Sequence, residues 1–206
     1  MSNPWEVINL DDYENHMKLN SVMQLQVMNE MMKDQFYRYH VSTLMILGVA
    51  GGNGLNHIDP NRIQKVYGVD INDVYLQECV KRYPELNLIF TPIRADLQKK
   101  DEILSKADIV IANLLIEYIG YTSFQRIVHQ VNPYYVTCVI QINTDSGFVS
   151  DSPYLHVFDG LDEVHHQICE RELSKTMLEI QYVLLCKEER WLPNEKKLLR
   201  LDYQQQ

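Results

Sequence analysis

The spacing of apolar positions changes character along this chain. From Glu14 to about Tyr39 they recur every three or four residues, at Val22, Leu25, Met28, Met32 and Phe36, which predicts an amphipathic helix. A break is expected near Asn20-Ser21, with Ser21 capping the second piece. From Thr43 onward, short apolar runs alternate with mixed segments. The runs Thr43 to Val49, Val66 to Asp70, Leu88 to Pro92, Ile109 to Leu115 and Tyr135 to Ile142 read as strands. The fourth is almost wholly apolar, as expected of a strand covered on both faces. Between the strands, helices are expected from within Gly52-Asn53-Gly54, from Asn72 to Arg82 ahead of Pro84, and around Lys100 to Leu104. A further helix carries Phe124, Ile127, Val128 and Val131 on one stripe.

The tail breaks the alternation. A helix at about Asp159 to Leu173 leads to a long strand, Met177 to Cys186, and a turn at Leu192-Pro193-Asn194-Glu195 connects it to Leu198 to Tyr203. Consecutive strands joined so closely pair antiparallel. The pattern is that of an α/β chain: a doubly wound, mostly parallel sheet ending in an antiparallel hairpin. Residues 1–40 form a helical extension and 41–206 the main unit of a single domain.

Composition narrows the partners. At 206 residues there is enough chain for one sizeable core. A net charge of −9 disfavours nucleic acid, because phosphate backbones attract clustered Lys and Arg. No apolar stretch reaches the roughly 20 residues that span a bilayer, and no signal-peptide pattern opens the chain, so cytoplasm is the default and no membrane is expected. The four cysteines form no C-x-x-C pair. His165-His166 with Cys169 offers three potential ligands on one expected helix, but adjacent histidines point in different directions; no metal site is expected.

Chemistry enters at the strand ends. Leu44 to Gly54 is an apolar run closing in glycines, and Val66-Tyr67-Gly68-Val69 ends in Asp70. A strand, a glycine turn and a second strand ending in an acid form a nucleotide-binding crossover: glycines bring the backbone near the ligand, and the acid accepts from ribose hydroxyls. With Ala95-Asp96-Leu97 and Asp108 to Leu115, this layout resembles the Rossmann-like S-adenosylmethionine-dependent methyltransferases over roughly Leu44 to Tyr203. The resemblance implies a seven-stranded sheet with the last strand inserted antiparallel between strands five and six. It implies S-adenosylmethionine as cofactor, S-adenosylhomocysteine as product, and cofactor contacts from Gly48, Ala50, Gly52, Gly54, Asp70, Ile71, Asp96, Leu97 and Asn113. In two places the chain departs from the family pattern. Gly48 stands where an acid near the methionine ammonium is usual, and Ala50 replaces a glycine, which is tolerable only outside positive φ.

Gly48, Gly52 and Gly54 also fit G-x-x-x-G-x-G of the short-chain NAD(P) oxidoreductases, but none of the 13 tyrosines has the lysine four residues on that such enzymes resemble one another in. Aminopropyltransferases resemble one another in a longer glycine run, and a non-catalytic nucleotide-binding module is the bland alternative. Enzymes modifying nucleic-acid or glutamine amino groups resemble one another in Asn/Asp-Pro-Pro-aromatic. Here the segment is Asn113 to Tyr118 without prolines, which points to a small-molecule acceptor. Tyr13, Tyr118 and Tyr154 are candidate acceptor contacts, and His16 and Glu117 candidate bases. The segment Asn143 to Tyr154 is expected to gate the site. The apolar stripe of the N-terminal helix would roof the site, its other use being contact with a second copy in a homodimer.

Overall fold

Parallel strands β1 (Thr43–Leu47), β2 (Lys65–Asp70), β3 (Phe90–Arg94), β4 (Ile109–Asn113) and β5 (Tyr135–Ile142) follow one another along the chain. A hairpin of β6 (Tyr182–Trp191) and β7 (Lys197–Gln205) ends it. In the computed structural model, which describes residues 3–143 and 147–206, these strands form one sheet of order β3-β2-β1-β4-β5-β7-β6. β7 is antiparallel to both β5 and β6, so β6 runs parallel to the rest. The expected insertion of the last strand is therefore present.

The helices are α1 (Leu10–Met17), α2 (Gln24–Tyr37), α3 (Asp73–Arg82), α4 (Ile116–Val131) and α5 (Glu170–Leu178). One face of the sheet packs Met45, Val110 and Val136 against Phe124, Ile127 and Val128 of α4 and Leu173 of α5. The other packs Leu44, Ile46 and Ile111 against Met28, Met32 and Phe36 of α2 and Leu76 of α3. A buried polar cluster interrupts this second face. Asp202 of β7 accepts from Tyr39 and Thr137 and pairs with Arg200, while Gln35 of α2 donates to Thr137 and Asn113. These bonds pin α2 to the middle of the sheet, since breaking any one would orphan a buried polar group.

Several local expectations are corrected. The first crossover has no α-helix after Gly54, only turns and a 3-10 turn at Leu55–His57. Gly52 and Gly54 lie at φ +85° and +90°, outside helical space, and α2 covers that face instead. The N-terminal helix is broken near Asn20-Ser21 as expected, between Met17 and Gln24, but Met23 at φ +52° rather than Ser21 precedes α2, and Asn9 caps α1 through Asp11 and Asp12 N–H. Residues 98–107 are not helical: Asp96 N–H donates to Glu102 and Gln130 holds the Glu102 carbonyl, tying the segment in an open path. The helix expected from Asp159 to Leu173 is a 3-10 stretch, Leu155–Glu163, followed by α5, which runs to Leu178 so that β6 begins only at Tyr182.

Candidate functional site

The carboxyl ends of β1, β2 and β4 open into a cavity of about 670 Å³. Past β1 the chain turns through Gly48 at φ +67° and Ala50 at φ +46°. Ala50 N–H donates to Asp70 Oδ2 at 2.9 Å, and Asn72 N–H to Oδ1 at 2.9 Å. The carboxylate retains acceptor capacity beyond these bonds, and Asp70 lines the cavity. Burial pushes its pKa up, against the pull of the backbone N–H groups of Asn72, Ala50 and Ile71. Gly48, Ala50, Ile71, Asp96, Leu97 and Asn113 share this lining. Asp96 Oδ1 accepts from Gln98 N–H at 3.1 Å, and Lys99 stands 3.7 Å from Oδ2. Asn113 borders the cavity, but its amide is paired reciprocally with Gln35 at 3.0 and 2.9 Å. The N-terminal segment closes one side: Asn3, Trp5 and Tyr13 line it, with Tyr75 donating to Ile8 O and Asn72 to Trp5 O.

A second cavity, about 570 Å³, follows the glycine turn past Gly48, Ala50, Gly51 and Asn53. Its one acidic wall among the described residues is Glu14, which accepts from Arg82 Nη1 at 2.5 Å. Gly52 and Gly54 line neither cavity. A side chain on Gly52 would strike Tyr83, Leu55 and Cys79, and one on Gly54 would strike Met32. They turn the chain and let α2 and α3 close on it. Ala50 meets the condition under which its methyl group is not free of strain, a positive φ, where an L-residue loses roughly 1–2 kcal/mol.

A third cavity, about 560 Å³, lies beyond β4 and shares Trp5, Tyr13, Leu114 and Tyr118 with the first. Leu114 lines all three and holds φ +54°, a conformation that a branched side chain adopts only under constraint. α4 is kinked at Gly120 (φ 72°, ψ 168°), and the Glu117 carbonyl is taken by His166 N–H at 2.6 Å. The short first turn so separated carries Glu117 and Tyr118. Glu117 is 4% exposed; Oε1 accepts from Gln141 N–H at 2.8 Å, whereas Oε2 has no partner. Burial raises its pKa to about 7, with the Gln141 N–H opposing. His16 is buried, bonds Ser152 Oγ through Nδ1 at 2.7 Å and has its pKa lowered by burial.

Rings form the rest of this wall. Trp5 meets Tyr13 and Tyr118 edge-on at 5.6 and 4.9 Å, Tyr118 meets His165 at 5.7 Å, and His165 stacks on Phe148 at 3.9 Å. Of the expected acceptor contacts, Tyr13 and Tyr118 reach the cavity and Tyr154 does not; Phe148 and Phe158 stand there instead. Residues 144–146 of the expected gate lie outside the described residues. Phe148 belongs to the segment expected to gate the site, whereas no local pattern in the sequence marks Trp5, Gln141, Phe158 or His165 as site residues. His165 was weighed only as a metal ligand.

No family model matches this sequence, and no curated protein is significantly similar to it. Solved structures align over nearly its whole length. The N-methyltransferase NodS from Bradyrhizobium japonicum WM9, in complex with S-adenosylhomocysteine, is 10% identical with a TM-score of 0.69 over 99% of both chains. Magnesium protoporphyrin IX methyltransferase from Synechocystis PCC 6803, with the same nucleoside bound, is 11% identical with a TM-score of 0.66, covering 98% of this chain and 96% of that one. The [4+2]-cyclase SpnF is also similar, 8% identical with a TM-score of 0.65 over 89% and 82%. The chain has the Rossmann-like methyltransferase fold.

Proposed function

We propose that this protein is an S-adenosylmethionine-dependent methyltransferase acting on a small-molecule acceptor. The observation that carries the reading is the pair of adjoining cavities at the carboxyl edge. One presents the Asp70 carboxylate beside a glycine turn, the other an unpartnered carboxylate among rings, and they share Trp5, Tyr13, Leu114 and Tyr118. The first suits a nucleoside: Asp70 accepts from ribose hydroxyls with its spare lone pairs, Asp96 from an adenine amino group, and Ile71 and Leu97 flank the ring. The second cavity along Gly48 and Ala50 takes the amino-acid tail. The cofactor supplies an activated methyl group; the protein's contribution is to orient the acceptor and keep water out.

Glu117 serves as the proton acceptor where one is needed, because its oxygen is free and its pKa lies near neutrality. His16, its pKa lowered by burial, shapes the wall through Ser152 and Phe158. Residues 1–40 act as a lid on the catalytic unit, 41–206. The fold alone also carries a cyclase, so the deciding assay has two parts. Calorimetric titration should give saturable binding of S-adenosylmethionine and S-adenosylhomocysteine and none of NADPH. Saturable NADPH binding with no response to either sulfur nucleoside would reverse the assignment, and binding without methyl transfer to any acceptor would leave only a nucleoside-binding module.

A further inference from the structure

Glu117 is an unusual group to find in an apolar wall. Glu117 lines the cavity with its carboxylate almost wholly buried; one oxygen is bonded to a backbone N–H, and the other is buried without a partner. A buried carboxylate oxygen without a donor is strongly disfavoured unless a ligand supplies that donor. Around it stand Trp5, Tyr118, Phe148 and His165, rings whose faces and edges touch one another in series. Among the described residues that line this cavity there is no Lys, Arg or Asp, so Glu117 is its one group with a formal charge. His16 and His165 are both held neutral by burial, which removes them as competing cations.

We infer that the acceptor is a compact organic amine bound as its ammonium form, with Glu117 as counter-ion and hydrogen-bond acceptor and the Trp5–Tyr118–His165–Phe148 rings as its cage. A carboxylic or phosphate acceptor meets no cation here and is repelled by Glu117. A neutral alcohol satisfies one hydrogen bond but gains nothing from the rings. An ammonium gains from both, since aromatic faces attract cations most when water is excluded. The assignment rests on the methyl-transfer reading and gives Glu117 a defined task in it. The bound ammonium passes one proton to Glu117 Oε2, which frees the nitrogen lone pair. That pair forms the new bond to the methyl carbon as the carbon–sulfur bond breaks and its electrons return to sulfur. The product leaves as the N-methylammonium, and Glu117 returns its proton to water.

The test uses three probes of one shape: benzylamine, benzyl alcohol and benzoate, titrated at mildly alkaline pH into the protein with and without saturating S-adenosylhomocysteine. Benzylamine should bind more tightly than benzyl alcohol by about tenfold or more, and benzoate should not bind. In Glu117→Gln, which keeps the bond from Gln141 N–H, the amine should fall to the level of the alcohol while affinity for S-adenosylhomocysteine is unchanged. Equal or tighter binding of the alcohol or benzoate overturns the inference, as does failure of benzylamine to bind at millimolar concentration. The wild-type series decides this even if the variant does not fold. Failure of S-adenosylhomocysteine to bind, with amine preference retained, would instead sink the methyltransferase reading.

Discussion

The two carboxylates at the carboxyl edge are held in opposite ways. Asp70 has both oxygens bonded to backbone N–H groups, from Ala50 and Asn72, so its position is set by the ends of β1 and β2. Glu117 accepts from Gln141 N–H, with its own backbone N–H also pulling its pKa down, and its other oxygen is unpartnered. The first is a fixed acceptor whose geometry exists before any ligand arrives. The second stores the cost of burying a charge and releases it only when a donor enters. One half of the site is built to hold, the other to change protonation.

If that contrast is right, the N-terminal segment should matter to both halves, and its loss is the most damaging change. Asn3, Trp5 and Tyr13 line the cavity that holds Asp70, and Tyr75 and Asn72 bond to Ile8 and Trp5, so the segment closes that cavity as well as the one at Glu117. Deletion of residues 1–18 should abolish measurable S-adenosylhomocysteine binding in calorimetry while circular dichroism remains that of an α/β fold. Retained affinity would confine the segment to the acceptor side.

The protonation contrast predicts a pH effect. Glu117 ionises at about 7 in the folded protein against an ordinary value of 4.5. Because the folded pKa is raised, its contribution is fully present below the unfolded value and is lost as pH rises through the folded one. Between about pH 4.5 and 7 the wild type should lose on the order of 3 kcal/mol relative to Glu117→Gln. Asp70, also raised, adds to the loss in both proteins, and the lowered pKa values of His16 and His165 oppose it in both, so the difference isolates Glu117. Parallel denaturation curves for the two proteins across this range would show that Glu117 is not buried as a free acid. Asp70→Ala addresses the other half. It should weaken S-adenosylhomocysteine binding by about 2–3 kcal/mol and also destabilise the fold by about 1–3 kcal/mol, because two N–H groups lose their acceptor. Unchanged affinity in a folded variant would make Asp70 a turn residue only.

The same contrast explains what the sequence could convey. The nucleoside half is made of contiguous runs that end strands, Leu47 to Gly54, Tyr67 to Asp70 and Ala95 to Leu97, and a parallel sheet brings strand ends together by its connectivity. The strand pattern thus points to Asp70, while Asp96 and Leu97 follow from the resemblance to the methyltransferases, and all three line one cavity. The acceptor half joins Trp5, His16, Glu117, Gln141, Phe148 and His165, which no period or spacing relates. Their meeting depends on the Gly120 kink and on a 3-10 stretch at Leu155–Glu163, both tertiary outcomes that override local propensity. Gly52 and Gly54 carry a packing constraint as well: Met32, Cys79 and Tyr83 approach too closely for a side chain there.

The smallest effect sharpens the holding half. Ala50 joins the glycine turn to Asp70 through its N–H and lies at φ +46°, a region that glycine enters freely and alanine does not. Replacing it by glycine removes the clash of its Cβ with the backbone, about 1–2 kcal/mol, and adds back part of that as unfolded-chain entropy, about 0.4–1 kcal/mol. Ala50→Gly should therefore stabilise the protein by about 0.5–1 kcal/mol, a rise in Tm of roughly 1–4 °C for a chain of this size. The methyl group also lines both cavities on the nucleoside side, so its removal should leave affinity for S-adenosylhomocysteine equal or tighter. A fall in Tm would mean that the methyl group contributes packing greater than its strain. A fall in affinity with Tm unchanged would mean that Ala50 contacts the nucleoside tail and that the departure from glycine is part of how this chain recognises it.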